Sequence, residues 1–313
     1  MYGQYFVLFA IMSAGFILRK INLIDGDMNR GLNNFILFFS FPCLIIKNIG
    51  TLEMTGHVFT MFMQMMIMTF VVFFGGTFIP RLYYRLRGYS EKDRPTFEFA
   101  STMPNNGFLG FPIALLIYGQ EGLLMMLATI FAFNVYAYGY AQNGYHRFDN
   151  DRTGGSSVGQ ILLKLIKNPN IIGLFIGFAL SFFEISMPDP IFTFLDYMGG
   201  IATPMSMIYI GSSLAGTKFS VMVRDPKIWE GTFAKLIAMP ALTLAFVWFL
   251  PLFPMVKMGL VLTMAFPVAA LVPMLADMEK KDSTYGVMLL FLSTLLSMGT
   301  LLLWIWIINH TVL

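Results

Sequence analysis

Two apolar segments of this chain are interrupted in the same way at a fixed distance from each other. Thr102 is followed ten positions later by Pro112, and 161 residues further along Thr263 is followed ten positions later by Pro273. Each interruption lies inside a segment long enough to cross a lipid bilayer. Paired breaks of this kind are typical of a duplicated membrane unit with a substrate site near the centre of the bilayer.

The composition predicts a polytopic membrane protein. Apolar residues make up 57% of the 313 residues and charged residues only 12%, against roughly 25% charged in a soluble domain. The net charge of +3 comes from basic residues scattered among short loops, so we expect no nucleic acid partner. Cys43 is the single cysteine, which excludes an intrachain disulfide and a thiol metal cluster. We therefore expect the protein to lie in the lipid bilayer and to bind no cofactor and no metal.

Ten apolar runs of spanning length predict ten transmembrane helices. Eighteen of the 20 Lys and Arg residues follow odd-numbered runs, which puts those loops in the cytoplasm and both termini outside. Five spans per copy is an odd number, so the two copies must cross the membrane in opposite directions. The predicted fold is an all-α integral membrane protein of two inverted five-helix repeats. The predicted spans are 3–18, 30–49, 57–79, 96–118, 122–142, 167–186, 190–214, 229–250, 255–277 and 284–308.

Polarity divides the chain into three parts. Residues 1–142 form the first predicted repeat and residues 161–313 the second. Residues 143–160 include a Gly-Gly-Ser-Ser run at 154–157, which is typical of a flexible link on the cytoplasmic side.

The interruptions themselves supply the candidate substrate site. Proline removes a backbone donor and glycine weakens a helix, so the fourth and ninth spans are predicted to be broken. Freed backbone groups cannot face lipid, and the helix after each break directs its positive end toward the break. This favours an anion such as a carboxylate, whereas kinks and interhelical hydrogen bonds are the ordinary roles of such residues in membranes. The candidate substrate-binding residues are Asn105, Asn106, Gly107, Gly110, Pro267 and Val268.

Four stretches together resemble one family. They are NNGFLGFP with a following IYG, KNPNIIG at 167–173, FSFPC around Pro42, and FPVAALVP near 270. Their order resembles the auxin efflux carrier family, which includes plant PIN-type auxin carriers and bacterial malate and malonate permeases. The short loops of this chain are more similar to the bacterial permeases.

The resemblance implies further expectations. It implies ten spans in two inverted repeats, with the broken fourth and ninth helices crossing at the substrate site. It implies an elevator-like division in which spans one, two, six and seven form a scaffold. It also implies a homodimer through the scaffold, for which Gly173 and Gly177 offer only a weak small-residue contact. Besides the two asparagines, Pro112 and Pro273 match the crossover positions of the family.

Ionisable residues inside the predicted spans are candidates for coupling to H⁺ or Na⁺. Asp196, Glu98 and Asp277 are the acidic candidates, although Glu98 and Asp277 lie near span ends where water can solvate them. Lys235 lies about two turns into the eighth span, where a long side chain can reach the cytoplasmic side.

Transport of a small organic anion by elevator-type alternating access is therefore the predicted function. Malate, malonate and an auxin-like monocarboxylate remain open as substrates, and the predicted location is the cytoplasmic (inner) membrane. A membrane sensor that binds a small carboxylate and signals through a partner is the alternative, although no output segment is evident. An enzyme is not expected, because the three histidines lie near loops or ends and no H-E-x-x-H pattern occurs.

Overall fold

The computed structural model describes residues 2–147, 158–215 and 225–311. Most of the predicted linker, together with Lys218 and Arg224, lies outside the described residues. The helices are α1 (Tyr2–Lys20), α2 (Gly26–Gly50), α3 (Gly56–Leu86), α4 (Arg94–Thr102), α5 (Asn106–Gly144), α6 (Val158–Ile166), α7 (Pro169–Phe182), α8 (Asp189–Gly200), α9 (Ala202–Ala215), α10 (Pro226–Trp248), α11 (Pro254–Ala265), α12 (Leu271–Met278) and α13 (Thr284–Thr311).

The described residues form an all-helical membrane protein. Five helices, α2, α3, α5, α10 and α13, are long and apolar enough to cross a bilayer, although α5 is kinked at Gly119, and the bent pair α6 and α7 makes up to six. That pair bends by 60° at its break. Of the other predicted spans, the first corresponds to α1, and the fourth, seventh and ninth are each divided between two helices, so the ten-span inverted repeat stays a prediction.

Three of the long helices contain a π-helical turn two residues before a proline. Ile36–Ser40 precedes Pro42 in α2, Asn106–Gly110 precedes Pro112 in α5, and Ala234–Ala238 precedes Pro240 in α10. Proline has no N–H to donate to the carbonyl four residues earlier, and widening the preceding turn avoids the clash. In α10 that carbonyl belongs to Leu236, and the indole Nε1 of Trp304 donates to it at 2.7 Å. The side chain from α13 thus replaces the missing backbone donor.

The chain divides into two compact units that do not follow the sequence order. The first unit contains Met1–Thr60, Gly107–Leu127 and Leu163–Thr217, and the second unit contains Met61–Asn106, Ala128–Leu162 and Lys218–Leu313. One boundary therefore falls between Asn106 and Gly107, inside the candidate site of the sequence analysis.

Close helix packing in the first unit depends on glycine. A Cβ atom on Gly211 of α9 would lie 1.8 Å from the carbonyl oxygen of Met12 in α1. Gly173 and Gly177 of α7 lie against Pro42 and Ile49 of α2 in the same way. These two glycines, considered above for a dimer contact, therefore allow two helices of the same chain to pack closely.

We expect Gly211→Ala to prevent α1 and α9 from packing, because the added methyl overlaps backbone atoms that cannot move aside. The thermal midpoint of the detergent-purified protein, measured by fluorescence-detected size exclusion, should fall strongly or folded protein should be lost. Gly31→Ala is the matched control, since a Cβ there meets nothing within 4 Å. Equal midpoints for the two variants would show that the contact is unimportant.

Candidate functional site

Two extended segments of the second unit pair with each other where helices are interrupted. Helix α4 ends at Thr102 and α11 ends at Ala265, and Pro104 then forms an isolated antiparallel bridge with Val268. The Asn105 N–H donates to the Pro267 carbonyl at 2.8 Å, and the Ala269 N–H donates to the Met103 carbonyl at 2.9 Å. We call residues 103–105 and 266–269 the crossover. Its two strands satisfy backbone groups that the broken helices leave free.

A helix begins directly after each strand of the crossover. Asn106–Gly110 forms a π-helical turn that opens α5, and Leu271 opens α12. The first N–H groups of a helix have no partner within it, and the helix dipole makes this end positive. The arrangement is chemically suited to an anion.

Asn106 has a buried amide that is only half paired. Its Nδ2 donates to the Thr129 hydroxyl at 2.6 Å, whereas its Oδ1 is buried and has no hydrogen-bond partner among the described residues. Turning the amide by 180° exchanges the two ends, with the Thr129 hydroxyl then donating to Oδ1 and Nδ2 left available. In either orientation one polar end of the Asn106 amide is left available for a hydrogen bond. Asn105 is also buried, and its backbone rather than its side chain joins the crossover pairing.

Side chains of other helices stabilise the crossover. The Val268 N–H donates to the Ser293 hydroxyl of α13 at 3.0 Å, and both residues are buried. On the other strand, the buried hydroxyl of Tyr136 lies 2.9 Å from that of Thr102 and 2.7 Å from that of Thr77. These contacts connect the end of α4 to α3 and α5.

Glu98 lies four residues before the end of α4 and is enclosed by donors. Its side chain is fully buried, and Arg81 and Arg147 both form ion pairs with it, at 3.1 and 2.9 Å. The hydroxyls of Tyr84 and Tyr140 donate to the same carboxylate at 3.1 and 2.8 Å. Such a carboxylate is held ionised by its partners and anchors α4, α3 and the end of α5 to one another.

The other ionisable candidates have different surroundings. Asp196 belongs to the first unit, where its exposed carboxylate pairs with Lys47. Asp277 lies exposed near the end of α12. Lys235 differs from the expectation that it reaches water, because its side chain is fully buried and its Nζ has no hydrogen-bond partner among the described residues. The π-helical turn at Ala234–Ala238 contains Lys235, in the interior of the second unit.

The remaining candidates lie in or after the crossover. Pro267 is buried within it, and Gly107 and Gly110 form part of the π-helical turn that follows. Pro112 is buried in the next turn of α5, and Pro273 is buried in α12, where α13 approaches it closely at Gly286. No cluster of three or more His, Cys, Asp or Glu side chains that could bind a metal occurs in the described ranges.

Sequence reasoning missed several residues that support the site. Thr129 and Ser293 are short hydroxyl side chains inside apolar helices, with nothing in their neighbourhood to distinguish them. Arg81 and Arg147 were counted only as cytoplasmic charges. The alternating tyrosines at 136, 138 and 140 were a usable signal, because tyrosine hydroxyls inside a membrane need partners.

Comparison with known proteins identifies the family. Residues 1–305 match the family described as membrane transport protein. The chain belongs to this family, which is the auxin efflux carrier family. The resemblance stated from the sequence is thereby confirmed, and the protein is a multi-pass membrane protein of a transporter family.

The relatives are distant in sequence. The chain is 24% identical over 294 residues to an uncharacterized transporter of Methanothermobacter thermautotrophicus, covering 93% of this chain and 92% of the relative. It is 24% identical over 210 residues to a putative malonate transporter of Rhizobium meliloti, covering 66% and 64%. It is also 24% identical over 218 residues to the mouse lysosomal cholesterol signaling protein, covering 66% of this chain but 25% of that protein.

We expect Glu98→Gln to lower the stability of the protein by about 2 kcal/mol, because two guanidinium groups lose their charged acceptor. Thermal unfolding in detergent measures the change. Glu53→Gln, at an exposed loop carboxylate, is the control and should leave the midpoint unchanged. An unchanged midpoint for Glu98→Gln would contradict an anchoring role.

Proposed function

We propose that this protein is a secondary transporter of a small organic anion, a carboxylate such as malate, malonate or an auxin-like monocarboxylate. The observation that carries the proposal is the crossover, with a helix beginning after each strand and the half-paired amide of Asn106 beside it. A carboxylate accepts hydrogen bonds from helix N-termini and from an amide NH₂ group. The similarity to the putative malonate transporter of Rhizobium meliloti supports a carboxylate.

The proposed substrate-binding residues are Asn105, Asn106, Gly107, Gly110, Pro267 and Val268, with Pro112 and Pro273 at the crossing helices. The side chain of Asn106 and the N–H of Gly107 donate to the substrate, whereas the other residues shape the site and leave open space for an anion to approach. In support, a Cβ atom built on Gly107 meets no atom within 4 Å.

The proposed mechanism is elevator-type alternating access between two inverted repeats, 1–142 and 161–313, joined by the cytoplasmic linker 143–160. The division into compact units supports this mechanism, since the first unit contains α1, α2, α7, α8 and α9, which correspond to predicted spans one, two, six and seven. Residues 107–127 also belong to the first unit, which the family resemblance does not imply. We place the protein in the cytoplasmic membrane with both termini outside, as a homodimer through the scaffold and with no enzymatic activity.

We expect Asn106→Ala to raise the half-saturating substrate concentration about tenfold to a hundredfold, because one hydrogen bond to a charged group is lost. The measurement is counterflow of labelled malate, malonate and an indole monocarboxylate in proteoliposomes. Asn134→Ala is the matched control, since the Asn134 amide donates to the Ile130 carbonyl of its own helix. Equal concentration dependence in wild type and Asn106→Ala would contradict a site at the crossover.

A sensor that binds a carboxylate is the second candidate, and the similarity to the mouse lysosomal cholesterol signaling protein favours it. The matched region is a quarter of that protein, so its signalling need not depend on the shared part. Saturable binding of a carboxylate with no counterflow of any of the three anions would favour the sensor over the transporter.

A further inference from the structure

Lys235 forms none of the hydrogen bonds that stabilise the crossover, yet it is an ionisable residue in the interior of the second unit. Its side chain is fully buried, and its Nζ has no hydrogen-bond partner within the described part of the chain. An ammonium group without water, counter-ion or acceptor is strongly disfavoured. A charged ammonium group at this position would therefore need an anion or another acceptor beside it.

The position of Lys235 connects it to the crossover. Its π-helical turn, Ala234–Ala238, packs against α4 and α11, the two helices that end at the crossover. The same turn packs against α13, whose Ser293 accepts a hydrogen bond from Val268. The two helices that end at the crossover, and the helix that contains Ser293, thus contact the turn that contains the lysine.

Two further polar atoms, on the helices that carry or contact this turn, are also buried and have no hydrogen-bond partner in the described ranges. The Thr232 hydroxyl precedes Lys235 by three residues, which puts both on the same side of α10. The Thr300 hydroxyl lies on α13, one turn before Trp304, whose indole N–H donates to Leu236. Hydroxyl and amine groups can all donate to a carboxylate. The region therefore offers several donors that the folded chain itself does not use.

Within the described part of the chain, no other ionisable group on the helices around Lys235 offers it a counter-charge. On α4, Glu98 pairs with Arg81 and Arg147, and Arg94 donates to a backbone carbonyl. On α10, Lys227 pairs with Asp93 and Glu230 pairs with Arg87. Lys257 of α11 and Tyr285 and His310 of α13 all have backbone carbonyls as partners.

We propose that Lys235 takes up a proton when a substrate carboxylate binds, so that each substrate molecule is carried together with one proton. The proton comes from water on the loading side and forms the third N–H bond of the ammonium group. The ammonium group then balances one carboxylate charge. On release, the N–H bond breaks, the proton returns to water on the other side, and the empty carrier again contains a neutral amine. This inference rests on the proposed carboxylate transport.

The test measures proton movement with substrate flux in proteoliposomes that contain a trapped pH dye. Labelled malonate and an indole monocarboxylate are the probes, with valinomycin and potassium setting the membrane potential. In wild type we expect about one proton to enter with each substrate molecule, and indole monocarboxylate flux should not respond to potential. Lys235→Met should abolish the proton movement, and any remaining monocarboxylate flux should respond to potential. Lys257→Met is the matched control and should behave as wild type.

Each result decides the proposal. Substrate flux in wild type without proton entry overturns it, and this result needs no variant. Proton entry retained in a folded, monodisperse Lys235→Met protein also overturns it. The absence of flux of either probe in wild type contradicts the proposed function itself, and the inference about Lys235 fails with it. Loss of proton entry in Lys235→Met with retained substrate flux supports it.

Discussion

The mutual pairing of two interrupted helices is the constraint on which the candidate site depends. A helix broken inside a bilayer leaves backbone N–H and carbonyl groups without partners, and lipid cannot provide them. Here the strand at 103–105 pairs with the strand at 266–269. The Asn105 N–H donates to the Pro267 carbonyl, and the Ala269 N–H donates to the Met103 carbonyl. Because each break provides partners for the other, the chain can keep both breaks buried, with a helix beginning after each of them. Those helix beginnings are what make the place suitable for an anion.

The polar groups around the crossover divide into paired and unpaired sets. Glu98, Tyr136, Thr102 and Ser293 are buried and bonded, so their energetic role is to fix the helices that approach the crossover. The second amide end of Asn106 and the amine of Lys235 are buried and have no hydrogen-bond partner among the residues that the structure describes. A folded chain does not gain stability from unpaired buried polar groups. Their presence together in the second unit is consistent with a site that is completed by a bound substrate.

Much of the site could be predicted from the sequence, because prolines act locally. Pro104 and Pro267 interrupt their segments through missing donors and steric clashes, and helices end within two residues of each. The burial of Lys235 could not be predicted, since a long side chain near a span end can reach water and only packing decides whether it does. Likewise, Arg147 and Glu98 are 49 positions apart, and a carboxylate near a span end does not reveal which arginines approach it. The division between Asn106 and Gly107 also depends on tertiary contacts rather than on local pattern.

Substrate protection of a single cysteine beside the crossover tests the central claim most directly. Gly107→Cys, in a background where Cys43 is replaced by alanine, introduces a thiol where a Cβ meets no atom within 4 Å. Its rate of modification by a small thiol reagent is measured in proteoliposomes with and without malonate or an indole monocarboxylate, beside Gly31→Cys as a control. A carboxylate bound at the crossover predicts slower modification at position 107 and no change at position 31. Unchanged modification at position 107, at a concentration that saturates counterflow, would contradict a substrate site at the crossover.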